Sequence, residues 1–123
     1  MMPSPSSVAA MIAARSDGLV VLRRQTQVSP PLFTDAVIPA LVRSLSATGS
    51  VADAQQQVRR SVVVASDHLA AAGFPLPVTI NDIVVTDPVI AAGAYVAGTG
   101  TTLRVIDPGA RGGVGFWLVA EGA

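Results

Sequence analysis

Apolar residues fall along this chain in short β-branched runs separated by turn residues, with helical spacing only near the start. Val8, Met11, Ile12 and Arg15 recur at three- and four-residue steps, which predicts a short helix capped by Ser6 or Ser7 and ended by Asp17-Gly18. Before it, residues 1–7 are rich in Pro and Ser and read as a loose arm. Leu19 to Gln27 is a strand, apolar on both faces in its first half and polar in its second. Val28-Ser29-Pro30-Pro31 is a stiff connector, since neither proline donates to a sheet.

Thr34 to Ser46 reads two ways. A helix capped at Thr34 or Asp35 would align Val37, Ile38, Leu41, Val42 and Leu45, but Pro39 would fall in its second turn. A strand requires Pro39 at an edge or bulge, and the β-branched Val37, Ile38 and Val42 favour it. A polar, small-residue loop follows at about 46–58, containing Gln55-Gln56-Gln57. Arg59-Arg60 leads into a strand through Ala65. A short helix over about 66–72 comes next, with Ser66 as N-cap and Gly73 just past its end. The remainder is strand and turn. Strands are expected at 82–86, 93–97, 101–106 and 114–119, with turns at Asp87-Pro88, Gly98-Thr99-Gly100, Asp107-Pro108-Gly109 and Arg111-Gly112-Gly113. The fold expected is mainly β: a small barrel or sandwich over residues 8–123, carrying a short N-terminal helix and one short helix between strands.

Composition changes this picture in one respect. Of the 123 residues, 50% are hydrophobic and only 13% charged, with eight arginines, no lysine and eight carboxylates. A small soluble monomer carries roughly 25–35% charged residues on its surface. So sparse a charge complement points to a subunit covered by other protein or, alternatively, to a small-residue-rich monomer from a GC-rich genome. A net charge of zero argues against gripping nucleic acid by bulk electrostatics. The apolar stretch at 8–14 is far shorter than the roughly 20 residues that span a bilayer, and no basic residue precedes it, so neither a membrane anchor nor a secretory signal is expected.

Candidate chemistry is thin. The chain has no cysteine and one histidine, His68, which reads as a surface or capping residue beside Asp67. The aspartates sit mostly in turn contexts, and Asp82 reads as bonding its own backbone. No pair of carboxylates has a spacing that demands acid–base work, so no enzymatic activity, cofactor or metal is expected. Gly98-Thr99-Gly100 lacks the third glycine of a dinucleotide fingerprint and precedes a strand rather than a helix. The residues left as candidates for contacts are the pairs Arg23-Arg24 and Arg59-Arg60, Arg111 and Trp117. Adjacent strand residues point to opposite faces, so each arginine pair places one guanidinium per face. Phe116-Trp117 should split likewise, one ring in the core and one at a surface.

The succession of these segments resembles the small neck proteins of long-tailed bacteriophages, the head closure, stopper or head–tail connector family. The residues that carry the likeness are Leu19-Val20-Val21-Leu22-Arg23-Arg24, Arg59 to Ser66 running into Leu69 to Pro75, Asp82-Ile83-Val84-Val85, and Thr102 to Pro108 before a last strand. It spans roughly residues 8–120 and departs at Pro39 and in the long stretch 87–100. The resemblance implies a non-enzymatic β-barrel subunit of a homo-oligomeric ring, hexameric or dodecameric. That ring would have a portal or adaptor protein above and a tail terminator or tail tube below. It would extend the DNA channel and help retain packaged DNA, residing in the virion after assembly in the host cytoplasm. By the same analogy the loop with Gln55, Gln56 and Gln57 would line the channel or dock a partner. Other readings are a tail terminator or other virion ring protein, a small-ligand-binding barrel, or an isolated nucleic-acid-binding barrel.

Overall fold

A computed structural model describes residues 5–16, 18–44 and 59–122. The first helix, α1, runs Pro5–Arg15, so Pro5, Ser6 and Ser7 belong to the helix rather than to an arm, and neither serine lies outside it as a cap. Strands β1 (Leu19–Gln27) and β2 (Leu32–Pro39) form a long antiparallel ribbon. β3 (Leu41–Ser44) follows after the single residue Ala40. β4 (Arg59–Ala65) runs directly into α2 (Ser66–Ala71), and β5 spans Ile83–Thr86. A two-stranded excursion, β6 (Ile90–Ala91) and β7 (Ala94–Tyr95), precedes β8 (Thr101–Asp107), β9 (Ala110–Arg111) and β10 (Gly115–Glu121).

The main sheet is antiparallel, in the order β2-β1-β5-β8-β10-β4-β3. Its two outermost members are consecutive stretches of one segment. Residues 32–39 pair with β1, whereas residues 41–44 pair with β4. The chain changes partner at Ala40, and Pro39 falls at that change, where a missing N–H interrupts no continuous ladder. The sheet therefore curls until both of its ends meet in a single bent strand, a barrel-like arrangement. The ambiguous stretch after Thr34 is strand on both sides of the bend.

Side-chain alternation sorts the sheet into two faces. Val20, Leu22, Ile38, Val62, Val64, Val84, Leu103, Val105, Phe116 and Leu118 share the interior cluster. Leu69, Phe74 and Val78 join it from α2 and the loop that follows, closing the end of the barrel at which β4 terminates. On the outside, Val8, Ala9 and Ile12 of α1 pack on Ala65, with Leu41, Val63 and Val114 around them.

α2 ends as its sequence predicts. Gly73 is left-handed at φ +78°, its N–H bonds the Ala70 carbonyl at 3.1 Å, and the Phe74 N–H bonds that of Leu69 at 3.0 Å. Its start differs. Ala65, not Ser66, is the N-cap residue, and no side chain caps the helix. The Ser66 N–H instead donates to the Val114 carbonyl at 3.1 Å, because β4 passes into the helix while still beside the chain leading to β10.

The stretch 87–100 is longer than a hairpin because it contains one. Ala92 and Gly93, both at positive φ, make the two-residue turn between β6 and β7. The strand expected over 93–97 is limited to Ala94–Tyr95. Three side-chain hydrogen bonds help tie the excursion together. Thr99 Oγ1 accepts from the Val89 N–H at 3.0 Å and donates to the Val96 carbonyl at 2.7 Å, and the Tyr95 hydroxyl donates to the Thr99 carbonyl at 2.8 Å. The excursion lies against the ribbon, β7 touching β2 and the Tyr95 ring centre 5.1 Å from the Arg23 guanidinium.

Candidate assembly surface

Among the described residues, Arg23, Arg24, Arg59 and Arg104 take part in ion pairs within the fold. On the outer face, Arg23 stands opposite Asp35 across the β1–β2 ladder, with Nε 2.7 Å from Oδ1. Its guanidinium lies 4.1 Å from the Phe33 ring centre and 5.1 Å from that of Tyr95. Arg24, one residue on, turns to the other face. Its Nε and Nη2 donate to Asp82 Oδ1 and Oδ2 at 2.9 and 2.7 Å, a two-pronged clasp. Nη2 also reaches the Pro77 carbonyl at 2.8 Å, and the group lies 5.0 Å from the Phe74 ring centre. Asp82 Oδ2 further accepts the Thr79 N–H at 2.8 Å. The hydrogen bond to Asp82 outweighs partial burial and raises the Arg24 pKa above its usual value, so the guanidinium stays charged at every ordinary pH.

Arg59 bonds Glu121 at 3.3 Å, and Arg104 reaches the same carboxylate at 3.6 Å. Arg60, turned inward, lines a cavity described below. Arg111 lies 5.6 Å from the Trp117 ring centre. Phe116 is buried and Trp117 half-exposed, so the two rings divide between faces as alternation requires. Of the residues singled out in sequence, the structure brings together Arg111 and Trp117, while Arg59 pairs with Glu121, which the sequence did not single out, and Arg23 and Arg24 serve the fold locally. Gln55, Gln56 and Gln57 lie outside the described residues, as does the whole expected loop at 46–58.

Sequence reading missed Asp82 as the partner of Arg24 and Arg104 as a partner of Glu121. Asp82 does bond nearby backbone, as its turn context predicts, but its carboxylate chiefly receives an arginine 58 positions away. His68 is half-buried on α2, and its Nδ1 is enclosed with no hydrogen-bond partner. Among the described residues no three of His, Cys, Asp and Glu converge, and no helix is long and apolar enough to cross a membrane.

Most of the exposed large apolar side chains gather at two ends. One end of the barrel is where β1 begins and β5 finishes. Here Leu19 and Val42 are exposed beside a cavity of about 300 Å³. The cavity has an apolar lining from Leu19, Val20 and Val42, and a polar one from Arg60, Thr86 and Asp87. The other end carries the β1–β2 tip and the loop after α2. Val28 is 80% exposed there, and Leu32, Leu76 and Ile80 are exposed with it. An arrangement of this kind offers contact area rather than reactive groups. No protein-family model, curated protein or solved structure matches the chain.

Proposed function

We propose that the chain is a structural ring subunit of a tailed-phage neck, joining portal to tail around the DNA channel. The observation that carries this reading is the distribution of surface chemistry. Arg23, Arg24, Arg59 and Arg104 are engaged by carboxylates of the same chain, and uncovered apolar side chains gather at two opposed ends of a β-barrel. A lone particle gains nothing from that distribution, whereas a subunit with neighbours on two sides buries it. The succession of strands in the sequence agrees with the neck-protein likeness, and the near-neutral charge suits a wall past which DNA slides without sticking.

Mass spectrometry of purified phage particles from the genome encoding the chain tests the proposal. The expected result is several copies of the chain per particle, retained after the heads and tails are separated from free protein. Absence from the particle overturns it. The cavity favours a second reading, a small-ligand-binding barrel, which predicts a melting temperature that rises with ligand concentration.

A further inference from the structure

Among the described residues the barrel is plugged at one end and open at the other. Leu69, Phe74 and Val78 fill the interior beside the end of β4. Where β1 and β8 begin and β5 finishes, the interior opens into the cavity of about 300 Å³. Strand alternation decides which side chains reach it. Val20, Ala40 and Val42 make its aliphatic part. Thr86 shares a face with Val84 on β5, and Thr101 shares one with Leu103 on β8, so the two threonines, partners across the ladder, both turn inward. The turn before Thr101 is pressed against the end of β5, since a Cβ on Gly100 would lie 2.6 Å from the Thr86 carbonyl oxygen. Arg60 reaches the cavity from β4, with β10 between it and β8, and Asp87 stands just past β5. Thr86 is 6% exposed, yet among the described residues no group bonds its hydroxyl. A polar group so enclosed costs free energy until something supplies the missing bond. The Asp87 carboxylate and the Thr101 hydroxyl also have no partner among the described residues. Arg60 is engaged within the chain, and a guanidinium with five N–H donors serves a further acceptor as well.

We infer that the barrel mouth binds a small aliphatic amino acid as its zwitterion. The inference names a ligand class for the second reading, on whose cavity it rests, and is independent of the ring. The mouth presents one cation, one anion and two hydroxyls that both donate and accept, all beside an aliphatic surface. A zwitterion answers each part. Its carboxylate accepts from Arg60, its ammonium group donates to Asp87 and a threonine hydroxyl, and its side chain lies on Val20, Ala40 and Val42. A simple anion sets its charge beside Asp87 and a simple cation beside Arg60, and like charges brought together are penalised. A neutral polyol bonds the hydroxyls but engages neither charge with a charge of its own. Size agrees: about 300 Å³ is the liquid volume of about ten waters, room for a ligand of about eight to ten non-hydrogen atoms.

Calorimetric titration of the full chain with L-valine tests the site. Saturable binding of one molecule per chain is expected. Valinamide lacks the carboxylate and isovalerate lacks the ammonium group, and each should bind at least about tenfold more weakly. Thr86→Val keeps the shape of the side chain and removes its hydroxyl. It should weaken L-valine at least about fivefold, while the melting temperature of the chain alone stays unchanged or rises, because the fold loses no bond. Asp87→Asn removes the anion and keeps a residue type that tolerates the positive φ of +53° at this position. It should weaken L-valine at least about tenfold and leave isovalerate no weaker. No saturation by about 50 mM L-valine, analogues that bind as well as L-valine, unchanged affinity in either variant, or a lowered melting temperature in Thr86→Val overturns the inference. D-glucose bound in place of L-valine also overturns it, yet leaves the ligand-barrel reading standing. None of these outcomes bears on the presence of the chain in a phage particle, which is the separate test of the ring reading.

Discussion

Gly109 and Gly112 share a backbone conformation, φ +54°, and differ in what surrounds them. A Cβ on Gly112 meets nothing within 4 Å, whereas one on Gly109 would overlap the Trp117 carbonyl oxygen. The Gly109 carbonyl also accepts the Trp117 N–H at 2.9 Å, so the two backbones cannot part without losing that bond. Gly112→Ala should therefore cost about 1 kcal/mol, the left-handed penalty alone, and Gly109→Ala at least about 2 kcal/mol more. Urea unfolding midpoints of the two variants check the difference. The Arg24–Asp82 clasp allows a similar contrast. Asp82 is 4% exposed, so Arg24→Met strands a buried carboxylate and should destabilise by about 3 kcal/mol. Arg59→Met, removing a largely exposed partner, should change stability by less than about 1 kcal/mol. The sign of the pH dependence follows from the raised Arg24 pKa. A group bound more tightly to its proton when folded contributes fully below its unfolded pKa and loses that contribution only above it. The gap between wild type and Arg24→Met should hence stay constant from about pH 7 to 10.

At the scale of elements, α1 stabilises the barrel from outside. Ile12 is fully buried against a surface formed by Ala65 and its neighbours, and Ile12→Ala should cost about 3 kcal/mol, readable as a lowered denaturation midpoint. Most elements were legible from local pattern. β1, β4, β5, β8 and β10 are β-branched runs bounded by turn residues, and that signal survives because each strand faces the core. Gly73 was legible because the residue after a helix needs a left-handed backbone whatever the tertiary setting. Ser66 misled because a good capping residue also satisfies its N–H elsewhere when a strand leads straight into the helix, here at Val114. The bend at Ala40 left only an ambiguous trace, a proline inside an apolar run. Arg24 and Asp82 left none, since nothing in either neighbourhood specifies a partner 58 residues away. The apolar ends likewise required the fold: Val28 and Ile80 are ordinary loop residues in sequence and share an end only through the topology.

For the whole molecule, the balance between apolar and ionic surface sets how copies should respond to conditions. Association of copies through exposed apolar side chains such as Val28, Leu32, Leu76 and Ile80 is driven by release of water from apolar surface. Cooling should weaken association, and raising salt from about 0.05 to 0.5 M should leave it unchanged or stronger, the reverse of an ionic contact. Sedimentation at several temperatures and salt concentrations checks both directions. The place of β10 carries a further consequence. It is the latest strand of the described chain, yet it lies between β8 and β4 at the centre of the sheet. Until it inserts, the residues from 59 to 65 and from 101 to 107 have no common neighbour, and the interior stands open along its length. Closure of the barrel thus waits for synthesis of residues 115–121, and a ribosome halted even a few codons earlier releases a chain with a gap where its middle should be.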